Sequence, residues 1–302
     1  MQKGINQWSL PTGAGDLLPV LRHAVSSGIP HVELCVRPVG EGVFKTGAAD
    51  PELDRAFSLV EQGVNAKNYS LNLFDAAEDL KGLKGTVQAA GARVLGVTTL
   101  DLFRFTLTSN DNRTREAAAE IIRRMTDICS SLSGKTVLIE PGVVTSSLSY
   151  ADAYRNCREA LKGVVKYAEE RNVTLALENV WGKFLLSPTE FRDFIDDFKS
   201  EAMGAYFDVA NVLEFGHPQD WIRIIGNRIK SVHFKDYKTT IGGINGFCNP
   251  FDGNVNWFAV KRALVDIRYS GFLVAEVIIP EIWQEGFIAE LSRKMDYFID
   301  EL

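Results

Sequence analysis

The sequence of 302 residues has few cysteines and histidines, and it lacks a long hydrophobic run. Its four cysteines, Cys35, Cys129, Cys157 and Cys248, lie far apart and form no CxxC pair. We therefore expect free thiols in a reducing cytoplasm rather than a disulfide framework or a cysteine zinc site. No apolar run approaches the roughly 20 residues that cross a bilayer, and the N-terminus does not resemble a signal peptide. These absences predict a cytoplasmic protein without a membrane partner.

An excess of basic residues is also absent. The formal net charge at pH 7 is −6, with 39 acidic and 33 basic side chains. Because nucleic-acid phosphates are bound by clustered Lys and Arg, this balance argues against a nucleic-acid partner. A small anionic substrate stays compatible with the composition, since an acidic protein can carry a local basic pocket.

What the sequence does contain is a regular alternation of short apolar segments with longer amphipathic ones. Several amphipathic segments end at Gly or Asn directly before the next apolar run, which is typical of a helix C-terminus. In the segment "SPTEF", Ser187 followed by Pro188 and Glu190 predicts a capped helix start. The predicted strands are Gly4–Ser9, His31–Val36, Val94–Thr99, Thr136–Glu140, Val173–Glu178, Gly204–Asp208, Ile229–Phe234 and Phe272–Val277.

Eight strands that alternate with helices form either an open doubly wound sheet or a closed barrel. No GxGxxG motif or P-loop follows the first strand, so the main sequence support for a nucleotide-binding sheet is missing. We therefore predict an α/β fold, a (β/α)8 TIM barrel, with a single domain over residues 1–302. Residues 37–71 form a long irregular segment that we expect to help cover the barrel mouth.

Four polar residues lie at or near the ends of four successive predicted strands. Glu178 ends the fifth strand and Asp208 ends the sixth. His233 lies late in the seventh strand, and Glu276 lies near the end of the eighth. Active sites of parallel barrels are built at this end of the strands, and residues i and i+2 share one face of a strand. If each polar side chain points inward, all four meet at the barrel mouth.

Carboxylates packed this closely repel one another unless a proton or cation compensates them. Three carboxylate ligands and one imidazole suit one divalent metal ion, with Mn²⁺ favoured and Mg²⁺, Co²⁺ or Zn²⁺ as alternatives. Such an ion polarises a substrate carbonyl and stabilises the ene-diolate that forms when the neighbouring C–H is deprotonated. Glu33 and Glu140 also lie near strand ends, and we expect them to line the pocket or to cap helices.

These residues lie in segments that resemble the sugar isomerase/epimerase superfamily with the xylose isomerase-like barrel. The sequence is most similar to the ketose 3-epimerases and to the L-ribulose- or L-xylulose-5-phosphate 3-epimerase branch. The resemblance implies that Glu178, Asp208, His233 and Glu276 are the metal ligands, and that Glu178 and Glu276 also act as the catalytic acid and base. The segments that carry it are GINQWSL, HVELCV, TVLIEPG, LALENV, YFDVANVLEFGHPQDWI, VHFKDY and FLVAEV.

The resemblance also suggests which residues bind the substrate. Lys235, in the "HFKD" stretch, is expected to be a pocket cation, with a surface lysine as the alternative. Asn211 replaces a histidine that many free-ketose epimerases have three residues after the aspartate ligand, and its amide still suits a substrate hydroxyl. Those enzymes also carry a substrate-binding arginine shortly after the "HFKD" position, where this sequence offers Lys238.

Aromatic and loop residues complete the predicted pocket. Trp8, Phe103 and Trp181 are expected to form its walls, because sugars pack their C–H faces on aromatic rings, although each residue also suits a core. His217 is expected near the entrance, with a plain loop histidine as the alternative.

The sequence as a whole predicts a divalent-metal-dependent isomerase or 3-epimerase of a ketose or ketose phosphate. One alternative is a keto-inositol or keto-sugar dehydratase (a lyase) on the same metal site, and another is a non-catalytic sugar-binding barrel. A relative of the abasic-site endonucleases is disfavoured, since their three-zinc cluster needs more histidines than the four present. The expected partner is a small sugar or sugar phosphate, and the family analogy suggests a homo-oligomer.

Overall fold

The computed structural model describes residues 1–11, 17–37, 51–55, 58, 71–73, 77–280 and 284–302. The predicted covering segment, residues 37–71, lies for the most part outside the described residues. Within the described part, no helix is both long enough and apolar enough to cross a membrane. The four cysteines are free thiols.

Eight parallel strands form a closed barrel. Each strand pairs with the next one along the chain, and β1 pairs with both β2 and β8, which closes the ring. A short strand, Leu71–Asn72, pairs in parallel with the last two residues of β2. The predicted (β/α)8 TIM barrel is therefore confirmed. The barrel strands are β1 (Gln2–Asn6), β2 (His31–Arg37), β3 (Arg93–Thr98), β4 (Thr136–Ile139), β5 (Thr174–Glu178), β6 (Met203–Asp208), β7 (Ile229–Phe234) and β8 (Phe272–Ala275).

Helices follow the strands around the outside of the barrel. At the start of α5, the Ser187 hydroxyl accepts a hydrogen bond from the Glu190 backbone N–H, and Pro188 occupies the first turn, as predicted. The Glu190 carboxylate accepts a hydrogen bond from the Tyr150 hydroxyl. The longer helices in the described residues are α1 (Leu17–Ser26), α2 (Ala77–Ala89), α3 (Asn112–Ser131), α4 (Tyr150–Glu169), α5 (Pro188–Asp196), α6 (Pro218–Ile225), α7 (Trp257–Asp266) and α8 (Gln284–Asp296).

Some strands are shorter than predicted because the sheet pairing stops at the barrel mouth. Strand β1 ends at Asn6 and is followed by a 3-10 turn over Gln7–Ser9. Strand β8 ends at Ala275, and the backbone N–H of Val277 donates to the Ser9 hydroxyl rather than to a neighbouring strand. Residues just beyond a strand end can therefore turn their side chains into the mouth.

The barrel interior has its own small apolar layer, separate from the large core between strands and helices. We call this layer the floor. Gly4 makes room for it, because a Cβ at this position would lie 2.5 Å from Leu95 Cδ2. The floor consists of Leu95, Leu138, Ala176, Tyr206 and Val274.

Candidate metal centre

The four predicted ligands converge above the floor, at the end of the barrel where the strands terminate. Glu178 and Asp208 end β5 and β6, His233 lies in β7, and Glu276 follows β8 directly. One ligand atom from each side chain lies within 4.8 Å of the others. Glu178, Asp208 and His233 are buried and Glu276 is nearly so. The structure thus brings these side chains, from four neighbouring strands, into one cluster.

The imidazole of His233 stands at the centre of this cluster. Its Nδ1 atom lies 3.1 Å from Glu178 Oε1, 3.4 Å from Glu276 Oε2 and 3.7 Å from Asp208 Oδ2. The ring also packs on Tyr206 in the floor, with the ring centroids 4.4 Å apart. One edge of the imidazole therefore faces all three carboxylates.

Lys235 lies inside the cluster rather than on the surface. It follows His233 by two residues, so both side chains point to the same side of the chain. Its Nζ atom lies 2.8 Å from Asp208 Oδ2 and 2.6 Å from Glu276 Oε2. It also stands 4.5 Å from the centre of the Phe247 ring, which adds a cation–π contact. The prediction of a pocket cation agrees with this position.

The pKa shifts in the cluster have three causes: burial, repulsion among the carboxylates, and attraction between the carboxylates and positive charge. Burial raises the pKa of Glu178, and the nearby Glu276 and Asp208 carboxylates raise it as well. Burial opposes the charge of Asp208, yet Lys235 and His233 hold the pKa of this carboxyl below its usual value. Burial likewise opposes a charged His233, but Glu276 and the hydrogen-bonded carboxylates raise its pKa well above the ordinary value.

The residues present fit a divalent cation. Carboxylate oxygens and an imidazole nitrogen are donors that Mn²⁺, Mg²⁺ and Zn²⁺ accept. The cluster already gathers a lysine ammonium and a readily protonated imidazole around its carboxylates. A bound divalent ion would take over that charge compensation, and its binding would release the proton of His233.

Glu33, which the sequence suggested only as pocket lining or a helix-cap partner, contacts one of the predicted ligands. Its Oε2 atom lies 3.3 Å from His233 Nε2 and accepts a hydrogen bond of 2.5 Å from Asn6 Nδ2. Asn6 and Glu33 are opposite each other in the β1–β2 pairing. Sequence reasoning missed this contact because Glu33 and His233 are 200 positions apart. The available signal was a carboxylate within an apolar strand, at the third position of β2.

Glu140 is a second buried carboxyl group, for which the sequence predicted pocket lining or a helix cap. It lies one residue beyond β4 and is buried. Burial and then the neighbouring Glu178 raise its pKa well above the usual value. Its Oε2 atom has no hydrogen-bond partner among the described residues. Burial and the nearby carboxylates therefore favour the protonated form of Glu140.

Trp181 forms an aromatic wall beside the cluster. Its indole stacks on Phe247 with ring centroids 4.9 Å apart, and its Nε1 donates to the Asn211 carbonyl at 2.8 Å. The Asn211 backbone N–H in turn donates to Asp208 Oδ1 at 2.9 Å. Trp181 and Asn211 thus lie close to a predicted ligand, as expected, whereas Phe247 was not predicted.

The remaining predicted residues lie farther from the cluster or in the core. Trp8 and Phe103 are buried, and the Trp8 backbone N–H donates to Asn6 Oδ1. Lys238 is half-buried in the loop after the short strand Asp236–Tyr237. His217 is exposed at the start of α6 and makes no side-chain cap there. Among the contacts of the described residues, none joins Lys238 or His217 to the predicted ligands.

Comparison with known proteins identifies the family. Residues 55–294 match the family model described as "Xylose isomerase-like TIM barrel". The chain therefore belongs to the xylose isomerase-like TIM barrel family, and the resemblance seen in the sequence is confirmed.

The curated relatives are distant. The chain is 25% identical to protein MJ1311 of Methanocaldococcus jannaschii and to a 2-epi-5-epi-valiolone 7-phosphate 2-epimerase of Actinoplanes, but the matches cover only 59% and 62% of those proteins. It is also 25% identical to the L-ribulose-5-phosphate 3-epimerase UlaE of Escherichia coli O1:K1 over 80% of this chain and 84% of that protein.

Solved structures share the fold over almost the full chain. A D-tagatose 3-epimerase-like protein superposes with a TM-score of 0.73 at 18% identity, covering 99% of this chain and 98% of the other. The IOLI protein with a bound zinc atom gives a TM-score of 0.72 at 16% identity over 99% and 98% of the two chains. At these identities the likeness establishes the fold.

Proposed function

We propose that this protein is an enzyme, a divalent-metal-dependent isomerase or 3-epimerase of a ketose or ketose phosphate. The observation that carries the proposal is the buried cluster of Glu178, Asp208, His233 and Glu276 at the barrel mouth. The names of two relatives support it, since both are epimerases of phosphorylated, sugar-like substrates.

The cluster would hold one divalent metal ion through these four side chains. When bound, the ion supplies Lewis-acid chemistry, because it polarises the substrate carbonyl and stabilises the negative charge that develops on deprotonation of the adjacent carbon. We propose Mn²⁺ from the donor set, and a structural neighbour with a bound zinc atom supports a divalent ion in general.

The protein's own carboxylates would move the proton. Glu178 Oε1 and Glu276 Oε2 approach the same imidazole edge from non-adjacent strands, with Asp208 and His233 on the strands between them. One of the two glutamates removes the proton from the carbon beside the carbonyl, and the other, in its protonated form, returns a proton to the opposite face. The reaction inverts that carbon and runs in either direction with the two roles exchanged.

The walls of the site would bind the rest of the sugar. Trp181 and Phe247 offer aromatic faces for the C–H groups of a sugar. Lys235 and Asn211 offer donors beside the cluster. We propose further substrate contacts for Trp8, Lys238 and His217, of which the two charged or titratable side chains suit a substrate phosphate.

The test is a metal-supplemented screen of free and phosphorylated ketoses in deuterated water, with the products analysed by NMR. Deuterium at the carbon beside the carbonyl, with inverted configuration, supports epimerisation. Loss of water from the substrate would instead identify a dehydratase, and binding without turnover would identify a non-catalytic sugar-binding barrel. Either of the last two results overturns the proposal.

The proposal extends to the domain organisation, cellular location and oligomeric state of the enzyme. We propose a single domain over residues 1–302, a cytoplasmic location, which the free cysteines support, and a homo-oligomer by analogy with the family. Light scattering of the purified protein measures the oligomeric state directly.

A further inference from the structure

Asn6 and Glu33, on two strands that carry none of the predicted ligands, lie on the Nε2 side of His233. We propose that Glu33 is a positioning residue: it accepts the Nε2–H of His233 and so keeps the Nδ1 edge of the ring turned toward Glu178, Asp208 and Glu276. Asn6 holds Glu33 in place. The inference rests on the metal-binding part of the proposed function and adds how the imidazole is prepared for it.

The two edges of the His233 ring face different partners. Nδ1 lies 3.1 to 3.7 Å from the three carboxylates of the cluster, whereas Nε2 lies 3.3 Å from Glu33 Oε2. Glu33 and His233 are both fully buried. Glu33 therefore lies on the opposite side of the imidazole ring from the three carboxylates of the cluster.

The orientation of the Asn6 amide makes Glu33 an acceptor. Asn6 Oδ1 accepts the backbone N–H of Trp8 at 3.0 Å and lies 3.2 Å from the Cys35 thiol, which donates to it. Because a backbone N–H can only donate, the amide oxygen must be on that side. Asn6 Nδ2 then points at Glu33 Oε2, at 2.5 Å. The same carboxylate oxygen thus receives the amide N–H and faces His233.

A neutral imidazole carries one N–H, and the partner of one ring nitrogen decides which nitrogen holds it. If a metal ion took the place of the Nδ1 proton, the buried carboxylate at Nε2 would hold the remaining proton on Nε2. Partners of this kind are a general feature of metal-ligating histidines, and their loss typically costs about 10- to 100-fold in metal affinity.

The experiment measures the tautomer and the affinity for Zn²⁺, without any substrate. The chain has four histidines, so protein labelled with ¹⁵N-histidine gives few imidazole signals, and the His233→Gln variant assigns the one of interest. With Zn²⁺ bound, the wild type should show a protonated Nε2 and a coordinated Nδ1 at His233. Glu33→Leu should lose the fixed tautomer and bind Zn²⁺ about 10- to 100-fold more weakly by calorimetry.

Two conservative variants separate positioning from packing. Glu33→Gln keeps an oxygen acceptor of the same shape and should retain the Nε2–H tautomer. Glu33→Asp withdraws the carboxylate by one methylene with little change in packing, so it should weaken Zn²⁺ binding even if Glu33→Leu fails to fold. Glu140→Gln alters another buried carboxyl of the mouth and should leave the tautomer of His233 unchanged.

The outcomes separate the positioning role of Glu33 from the proposed metal-dependent function. Wild-type Zn²⁺ affinity and an unchanged His233 tautomer in both Glu33→Leu and Glu33→Asp would overturn the positioning role alone. A wild type that does not bind Zn²⁺ overturns the proposed metal centre, and this inference with it. Coordination of Zn²⁺ through Nε2 of His233 would also refute it, since Glu33 would then be a ligand rather than a support.

Discussion

The mouth of the barrel and its floor lie two residues apart on the same strands. Ala176 and Tyr206 belong to the floor, and Glu178 and Asp208, the next inward-facing residues, belong to the mouth. The floor removes apolar surface from water, which stabilises the fold. The mouth buries several carboxylates close together, which costs stability unless cations compensate them.

Inward-facing residues of the same strand therefore contribute in two ways: those in the floor stabilise the fold, and those in the mouth serve the chemistry. A substitution in the floor should change the free energy of unfolding and leave the chemistry intact. A substitution in the mouth should change the chemistry or the response to metal, and some such changes should stabilise the fold, because sites that bind charge are often locally unfavourable. Four predictions test this division, from the largest expected effect to the smallest.

Substitutions in the mouth should have the largest effect on turnover. Glu178→Gln and Glu276→Gln remove the groups proposed to move the proton, so each should lower kcat/KM about 10²- to 10⁴-fold on the best substrate from the screen. Neither should lower the free energy of unfolding in urea, since each replaces a buried carboxylate by a neutral amide of the same shape. Full turnover in either variant would show that the two-glutamate mechanism is wrong.

The floor should dominate stability. Leu95 is buried in the floor on β3, a strand that carries none of the predicted ligands. Leu95→Ala should lower the free energy of unfolding by about 2 to 5 kcal/mol, through lost burial and the cavity left behind. Zn²⁺ affinity of the folded protein should match the wild type. A loss of affinity comparable to that of a ligand variant would mean that mouth and floor are not separable.

Lys235 should show that the mouth relies on a built-in cation when no metal is bound. Lys235→Met leaves Asp208 and Glu276 without their ammonium partner, so the metal-free protein should melt several degrees lower. Added Mn²⁺ should then raise the melting temperature more in this variant than in the wild type, because ligands that bind only the folded state stabilise it.

The matched control for Lys235 is Lys238→Met, which removes a half-buried lysine three residues farther along the chain. The rise in its melting temperature on adding Mn²⁺ should equal that of the wild type. Equal increments in all three proteins would contradict the compensating role of Lys235.

The smallest effect should come from a site in neither region. Ser187→Ala removes the side chain that caps α5 on the outside of the barrel, and it should cost about 1 kcal/mol of unfolding free energy. Ser187→Asp should retain the cap and most of the stability. Neither variant should alter Zn²⁺ affinity, and a change in affinity would show that the outer helices influence the mouth.

Local patterns predicted much of this fold. The strand Ile229–Phe234 was predicted with its observed bounds, and the other seven barrel strands with errors of up to three residues at their ends. The errors at the ends of β1 and β8 arise at the mouth, where pairing stops and groups such as the Val277 N–H bond to loop residues. Apolar runs do not signal that change, because burial continues beyond the last paired residue.

Residues that meet from distant strands were harder to predict. The sequence placed Glu178, Asp208, His233 and Glu276 at equivalent strand ends, which was enough to predict that they converge. It ranked Glu33 low, since nothing near Glu33 in the chain indicates a histidine as its partner. Phe247 was missed because its contact with Trp181 depends on how two loops pack.

The sequence by itself determined the alternation of strands and helices and the polar residues that end successive strands, because both depend on periodicity over a few neighbouring positions. Only the tertiary structure decided which edge of His233 faces the carboxylates, that Lys235 lies among them, and that Asn6 and Glu33 stand behind the ring. These relations depend on closure of the barrel, which pairs β1 with β8 and so brings the start of the chain beside the ligand-bearing strands. Interactions through space between residues so far apart along the chain leave no periodic signal in the sequence.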